Sequence, residues 1–312
     1  MTQAANTNSI GIIGLGIMGG AFGANLVKAG RQVVGYDISA HAAAQLNAAG
    51  GKALASMKEV LDSTPVTITS LPTVAAFNAV FAEMAPLLKP GHIVIETCTM
   101  PLDVKQAAYQ KLQAVGAHLL DCPVSGTGAQ AAKADLVVLG SGDAAAFETA
   151  RPILAGLSRK QFYLGAFGRG STMKYIANLL VTIHNVAAAE AFTLASKAGM
   201  DLQMVYDTLE DSGATSRMFQ MRGPLMVADH YQPPTARISL HMKDLDIISR
   251  FADGLHCPVP VFTMATQLYH AASSQGMGAE DTAAVCRVLE QMAGVDRAGA
   301  RDTPEKRASA AG

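Results

Sequence analysis

Residues 9–19 read SIGIIGLGIMG, an apolar run that breaks into a glycine-rich turn. The run suits a buried strand, and the Ala-rich stretch from Gly20 to Ala29 suits a helix. A second apolar strand, Gln32–Tyr36, leads directly into Asp37. An acid about 20 residues beyond such a turn is typical of folds that bind a dinucleotide. The segment therefore predicts a dinucleotide site at the end of the first strand.

Each glycine of the turn has its own predicted task. Gly14 permits the tight turn, Gly16 lets the backbone approach a pyrophosphate, and Gly19 lets the helix pack close to the strand. The free N–H groups at the start of the helix would then face the phosphates. We assign cofactor contacts to the whole turn: Gly14, Leu15, Gly16, Ile17, Met18 and Gly19.

Asp37 predicts which nicotinamide cofactor the site takes. Its carboxylate would accept hydrogen bonds from the ribose hydroxyls and repel a 2′-phosphate. The two residues that follow Asp37 are Ile38 and Ser39, so no arginine is next to it to bind such a phosphate. The sequence therefore favours NAD over NADP.

Composition excludes several classes of protein. The 312-residue chain is 50% hydrophobic, has a formal net charge of −1 and contains no basic block, which argues against nucleic acid as a partner. Its four cysteines lie apart, without zinc-ligand or disulfide spacing. They are Cys98, Cys122, Cys257 and Cys286. This pattern and the polar N-terminus, which lacks the features of a signal peptide, predict a cytoplasmic protein without a metal site.

The first half of the chain alternates strand and helix patterns. The predicted strands are Ser9–Ile13, Gln32–Tyr36, Val66–Ser70, Ile93–Thr97, His118–Asp121, Leu136–Gly140 and Gln161–Leu164. Helical stretches separate them, and such alternation predicts an α/β fold with a doubly wound, largely parallel Rossmann sheet.

Strand patterns stop after this half. Residues from Ser171 to Gly199 predict one helix of about 29 residues, or about 43 Å, which would join the two domains and offer surface to a partner subunit. Its apolar part, Tyr175–Ala189, contains polar residues and is shorter than a membrane span, so we predict no membrane insertion. We expect a dinucleotide-binding domain at 8–170, an all-helical domain at 171–295 and a flexible tail at 296–312. Within the helical domain, Pro224 is one of the positions where we expect a helix to be interrupted.

Two segments contain candidate substrate-binding or catalytic residues. Ligands of parallel sheets bind beyond the carboxyl ends of the strands, where the small residues from Asp121 to Gly128 could bind a carboxylate with backbone N–H groups. A plain loop turn would have the same pattern. Lys174 lies near the start of the long helix, where the domains should meet. Asn178 is four residues later and is therefore on the same face of the helix. Beside a positive nicotinamide ring, a partly desolvated amine would exchange its proton closer to neutral pH, although a solvated surface lysine is the commoner case.

The remaining charged residues fit ordinary structural roles. Lys243 and Asp244 form an expected helix charge pair, and most histidines have no partners at motif spacing. Asp103, Lys105 and the charged residues after Gly294 are predicted on solvated faces.

Taken together, four blocks of the chain resemble the β-hydroxyacid dehydrogenase family, from about residue 9 to residue 294. The blocks are GLGIMG at 14–19, DCPVSG at 121–126, GRGSTMK at 168–174 with Asn178, and KDL at 243–245. The resemblance implies a soluble homodimer or homotetramer that oxidises a small hydroxy acid with NAD.

The resemblance also implies site residues. The position of Lys174 is the catalytic acid and base of the family, and that of Asn178 orients the substrate. The positions of Ser125, Gly126 and Thr127 hold the substrate carboxylate. Further cofactor contacts are implied for Leu71, Pro72, Thr97 and Lys243.

Several activities remain open at this stage. Thr127 stands where the family often has glycine, and Tyr231–Arg237 is similar to the threonate dehydrogenase branch. The main prediction is NAD-dependent oxidation of a C3–C4 hydroxy acid, as by 3-hydroxyisobutyrate dehydrogenase. The alternatives are an L-threonate dehydrogenase, a tartronate semialdehyde reductase, an imine reductase on the same scaffold, and a non-catalytic dinucleotide-binding module.

Overall fold

A computed structural model of the protein describes residues 8–297. The described residues form two compact units, one ending at Ile176 and the other starting at Ala177.

The first unit is built on a six-stranded parallel sheet. Its strands are β1 (Ser9–Ile13), β2 (Gln32–Tyr36), β3 (Lys52–Ala53), β4 (Val66–Thr69), β5 (Ile93–Glu96) and β6 (His118–Asp121), in the spatial order β3-β2-β1-β4-β5-β6. The strand order reverses between β1 and β4, which is where doubly wound folds bind their ligands. The predicted α/β fold class is confirmed, and the glycine turn lies at this switch point.

The later strands form a separate sheet of three. They are β7 (Val124–Ser125), β8 (Leu136–Gly140) and β9 (Ser158–Tyr163), with β7 antiparallel and β9 parallel to β8. The sequence predicted β8 but missed the short β7 and the start of β9. Pro123 lies between β6 and β7 and has no N–H group for a ladder, which favours a break in the chain there.

Between residues 8 and 168, seven α-helices flank the strands. They are α1 (Ile17–Lys28), α2 (Ala40–Ala48), α3 (Met57–Ser63), α4 (Val74–Met84), α5 (Leu102–Ala114), α6 (Gly128–Ala131) and α7 (Ala144–Ala155). One apolar cluster contains Ile12 and Phe22, and a second contains Ile13 and Phe77. Neighbouring residues of β1 thus enter different clusters, because successive side chains of a strand point to opposite faces.

Helix α8 (Arg169–Lys197) is 29 residues long and starts two residues before the predicted position. It is long and apolar enough to cross a membrane by length and composition, a test that the core helix of a soluble protein also passes. Within the second unit its polar residue Asn185 is fully buried and donates a hydrogen bond to the Tyr269 hydroxyl. This burial against protein supports the prediction of a core helix.

Every element described from residue 198 to residue 297 is helical. The helices are α9 (Leu202–Glu210), α10 (Arg217–Ala228), α11 (Ile238–Gly254), α12 (Pro260–Ser274) and α13 (Val285–Met292), with short 3-10 turns at Met277–Ala279 and Thr282–Ala284.

The predicted interruption at Pro224 is wrong, because Pro224 lies inside α10. A proline there frees the carbonyl four residues earlier, that of Gln220. The Tyr206 hydroxyl donates a hydrogen bond to this carbonyl at 3.1 Å, and its ring lies against Gly223. A partner from α9 therefore replaces the missing helical bond.

The predicted tail begins inside the described chain. Arg297 pairs with Glu290 and donates to the carbonyl of Met226, so its side chain is largely buried rather than solvated. Residues 298–312 of the predicted tail lie outside the described residues.

Candidate active site

The glycine turn has the tight geometry that its sequence predicts. Gly14 has φ +89°, and a Cβ there would lie 2.2 Å from the carbonyl oxygen of Ser70. A Cβ on Gly19 would lie 1.9 Å from the carbonyl oxygen of Gly14. Both positions require glycine, one for its backbone angle and both for the close contacts.

Gly16 differs from these two glycines because its surroundings are open. It is the N-cap of α1 with φ −63°, and a Cβ there would meet no atom within 4 Å. No side chain caps the helix start. This end of α1 can therefore receive a phosphate group against its backbone N–H groups.

We predict that Gly16→Ala and Gly19→Ala fail in different ways. Gly16→Ala should leave the free energy of unfolding of the cofactor-free protein within about 1 kcal/mol, since its φ suits alanine and its space is empty. It should weaken NAD binding by at least about 10-fold, because the methyl group would occupy the phosphate approach. Urea unfolding and calorimetric titration with NAD measure the two effects.

Gly19→Ala serves as the contrast. Its Cβ would overlap backbone rather than a movable side chain, so the folded state itself should be destabilised by about 1–3 kcal/mol or more. Normal NAD affinity in Gly16→Ala would contradict the assigned role of the turn.

Asp37 is held at the edge of this turn. Its carboxylate accepts hydrogen bonds from the N–H groups of Leu15 (2.6 Å) and Ser39 (2.7 Å). The acid at the end of β2 is thereby fixed beside the start of α1. A ribose bound along the turn would find a carboxylate already oriented.

The predicted contacts from β4 and β5 lie at the ends of neighbouring strands. The Thr97 hydroxyl donates to the carbonyl of Thr69 at 2.7 Å, and the N–H of Leu71 lies 2.9 Å from the Cys98 sulfur. Pro72 follows at the exposed start of the next connection. The fold thus brings these residues to the same edge of the sheet as the glycine turn.

The small-residue loop also reaches this edge. Thr127 caps α6 in a capping box with Gln130, and Gly126 has φ +140°. A Cβ on Gly128 would lie 2.7 Å from the Cγ2 of Ile17. The residue that follows the Ser125–Thr127 loop therefore lies beside the first residue of α1.

Three buried charged side chains meet where β5 and β6 end. The ammonium of Lys105 lies 2.5 Å from Glu96 and 2.7 Å from Asp121, and all three side chains are at most 1% exposed. The prediction of a solvated Lys105 is wrong. A surface position on α5 cannot be told from a buried one by sequence when its two partners come from β5 and β6.

The charges of this network stabilise one another. Burial by itself would lower the pKa of Lys105, but the charges of Asp121 and Glu96 outweigh it and raise that pKa well above its ordinary value. The side chain of Lys105 is therefore an ammonium in the folded protein. Glu96 also accepts the N–H of Cys98 at 2.6 Å.

The start of α8 is bonded to the same network. Asp121 accepts the N–H of Ser171 at 2.8 Å and its hydroxyl at 2.7 Å. The N–H of Gly170 donates to the Ser141 hydroxyl, which itself donates to Asp121. Lys174, one turn further along, is half-buried.

The second unit carries the remaining predicted residues. Asn178 is 8% exposed and donates to Asp244 at 2.9 Å. The other carboxylate oxygen of Asp244 lies 2.9 Å from the Lys243 ammonium. The expected pair of Lys243 and Asp244 is therefore present, whereas its link to Asn178 was missed because the two helices are distant in sequence.

Other candidate groups do not form sites in the described chain. Between residues 8 and 297 no cluster of three or more His, Cys, Asp or Glu side chains could hold a metal ion. His92 and His241 are buried and bonded to Thr67 and Thr182, and burial lowers the pKa of His92 to about 4. These contacts support structural roles for both histidines.

A cavity of about 790 Å³ lies at the other edge of the sheet, next to Pro65, His92 and His118. These residues are at the amino ends of β4, β5 and β6. Doubly wound sheets bind their ligands at the carboxyl ends, so we do not assign this cavity to the active site.

The fold and the glycine turn define a protein of the Rossmann type that binds a dinucleotide. The family model of the NAD binding domain of 6-phosphogluconate dehydrogenase matches residues 9–165. The model of the NAD-binding domain of NADP-dependent 3-hydroxyisobutyrate dehydrogenase matches residues 168–289. The chain belongs to the β-hydroxyacid dehydrogenase family and is an enzyme acting on a CH–OH group.

Individual relatives align with about 90% of this chain. L-Threonate dehydrogenase of Haemophilus influenzae is 35% identical, over 90% of this chain and 95% of that protein. The crystal structure of a 3-hydroxyisobutyrate dehydrogenase from Salmonella typhimurium is 32% identical with a TM-score of 0.81, covering 90% of this chain and 99% of that one. The Mycobacterium tuberculosis 3-hydroxyisobutyrate dehydrogenase, determined with L-serine, is 27% identical with a TM-score of 0.84 over 90% and 98% of the two chains.

Proposed function

We propose that this enzyme oxidises a hydroxy acid of three or four carbons with NAD, using Lys174 as the general acid and base. The observation that carries the proposal is that Gly128, the residue directly after the Ser125–Thr127 loop, lies beside Ile17 in the glycine turn. Hydride transfer requires the substrate next to the cofactor. A carboxylate-binding loop adjoining a dinucleotide turn meets that requirement.

Each proposed residue has one task in this reaction. Ser125, Gly126 and Thr127 bind the substrate carboxylate, the loop supplying N–H and hydroxyl donors. The neutral amine of Lys174 takes the proton of the substrate hydroxyl, and in the reverse direction the ammonium returns it to the carbonyl oxygen. Bound NAD accepts the hydride from the same carbon. Asn178 orients the substrate, held in turn by Asp244.

The finer assignments of cofactor and setting belong to the same proposal. Asp37, with no arginine beside it, supports NAD over NADP, and Lys243 is the proposed contact to the nicotinamide end. The four free cysteines fit a cytoplasmic enzyme. We propose a homodimer or homotetramer, with residues 8–170 binding NAD and 171–295 completing the substrate site and the subunit contacts.

L-Threonate and 3-hydroxyisobutyrate are the first substrates to test, because relatives named for each of them match nearly the full chain. A panel adding glycerate and the threonate stereoisomers, run with NAD and with NADP, would be followed by the absorbance of the reduced cofactor. The proposal expects turnover with one of these acids and a higher kcat/KM for NAD. Tight NAD binding without turnover across the panel would instead identify a non-catalytic binding module.

A further inference from the structure

We propose that Asp121, held by Lys105 and Glu96, positions Lys174 by anchoring the first turn of α8. This inference rests on the proposed catalytic role of Lys174 and adds a group of residues that act through it. None of the anchoring residues needs to touch the substrate.

The anchor holds the backbone and a side chain of the same residue. Both carboxylate oxygens of Asp121 accept hydrogen bonds from Ser171, one from its N–H and one from its hydroxyl. Ser171 is 1% exposed, so water does not compete for these bonds. Two bonds to one carboxylate restrict both the position of the helix end and its rotation.

Neighbouring contacts fix the rest of the turn. A Cβ on Gly170 would lie 2.3 Å from the carbonyl oxygen of Leu139, so the helix backbone lies directly against β8. The hydroxyl of Tyr175 donates to the carbonyl of Met100, and Tyr175 is 2% exposed. Lys174 thus lies between fixed residues while its own side chain stays half-buried.

The charge of the network explains why this anchor persists. The Lys105 ammonium lies 2.7 Å from the Asp121 carboxylate, and the Ser171 N–H at the positive end of α8 donates to the same group. Hydrogen bonds that involve such charged groups are stronger than neutral ones. Glu96 completes the bonding of Lys105 on its other side.

The test is a double-mutant cycle between Ser171 and Lys174. Ser171→Ala removes the hydroxyl bond to Asp121 but keeps the N–H bond, so the protein should still fold. We expect kcat to fall by about 10- to 100-fold with KM nearly unchanged, since a displacement of about 1 Å can cost that much. In the Lys174→Ala background the same change should lower the residual rate by less than about twofold, because the positioned group is gone.

Ser158→Ala is the matched control. Ser158 is also buried in the first unit, and its hydroxyl bonds the carbonyl of Leu154 at 2.6 Å, away from α8. Ser158→Ala should lower the free energy of unfolding about as much as Ser171→Ala does, but it should keep the wild-type kcat. Ser141→Ala, which removes the acceptor of the Gly170 N–H, should act like Ser171→Ala. Amide hydrogen exchange should quicken by at least about 10-fold at residues 170–175 in the two anchor variants alone.

The outcomes separate the anchor from the proposed function. Equal kcat losses in Ser171→Ala and Ser158→Ala, an undiminished effect in the Lys174→Ala background, or unchanged exchange at residues 170–175 would each overturn the anchor. Full turnover in Lys174→Ala would overturn the proposed function, and it would be seen before any anchor variant is compared.

Discussion

Lys174→Ala is expected to lower kcat by about 10²- to 10⁴-fold while the Kd for NAD stays within about twofold. The amine is proposed to exchange a proton with the substrate oxygen, and the methyl group of alanine cannot do so. Steady-state kinetics and calorimetric titration with NAD measure the two quantities.

Lys174→Arg tests whether the proton or the charge matters. Arginine keeps the positive charge but does not release its proton in proteins, so it should be nearly as inactive as alanine. Lys197→Ala, an exposed lysine at the other end of α8, is the control and should keep full activity. Near-normal turnover in Lys174→Arg would limit the lysine to an electrostatic role.

Lys105→Met is expected to cause the largest loss of stability, about 3–5 kcal/mol in the free energy of unfolding. The substitution leaves Glu96 and Asp121 buried without their shared ammonium. Methionine is similar in length, so the loss would come from charge rather than from a cavity. Urea titration at neutral pH measures it.

The pH dependence of this variant has a defined sign. Burial already raises the pKa of Glu96, and the nearby charge of Lys105 opposes that rise, so removing Lys105 would raise the pKa of Glu96 further in the folded state. The folded variant then binds more protons than the unfolded chain above about pH 4, so its stability falls as pH rises. Its deficit relative to the wild type should be smaller at about pH 5 than at about pH 8.

Lys58→Met is the matched control for this experiment. Lys58 pairs with Asp62 on the surface, where the two side chains are 63% and 45% exposed. Solvent screens such a pair, so its loss should change stability little. A similar small effect in Lys105→Met would mean that the buried network does not hold the folded unit together.

Local patterns predicted the elements whose residues specify them directly. Strands β1, β2 and β8 have the predicted bounds, because each is a short, mostly apolar run whose limits are set by its own residues. The glycine turn was also predicted in detail. The need for glycine in this turn is steric and mostly involves residues a few positions away in sequence. The contact of Gly14 with Ser70 is the exception.

The candidate site divides in the same way. Asp37, Ser125–Thr127 and Lys174 could be found by motif, whereas the buried pairing of Lys105 with Glu96 and Asp121 could not. Lys105 on α5 gives no sign in sequence that it enters the core, and the charged pattern of that helix favours a solvated position. Pro224 was misjudged for a related reason, since the hydroxyl that satisfies the freed carbonyl comes from another helix.

By itself, the chain determined a Rossmann unit with a dinucleotide-type turn and a following helical unit, because periodicity and short-range sterics encode these features. Only the tertiary structure decided which charges are buried and what holds the start of α8. Burial depends on which strands pack together, and the partners of Asp121 lie 16 residues before it and 50 residues after it. Their electrostatic stabilisation exists only once the sheet has brought those segments into one desolvated space.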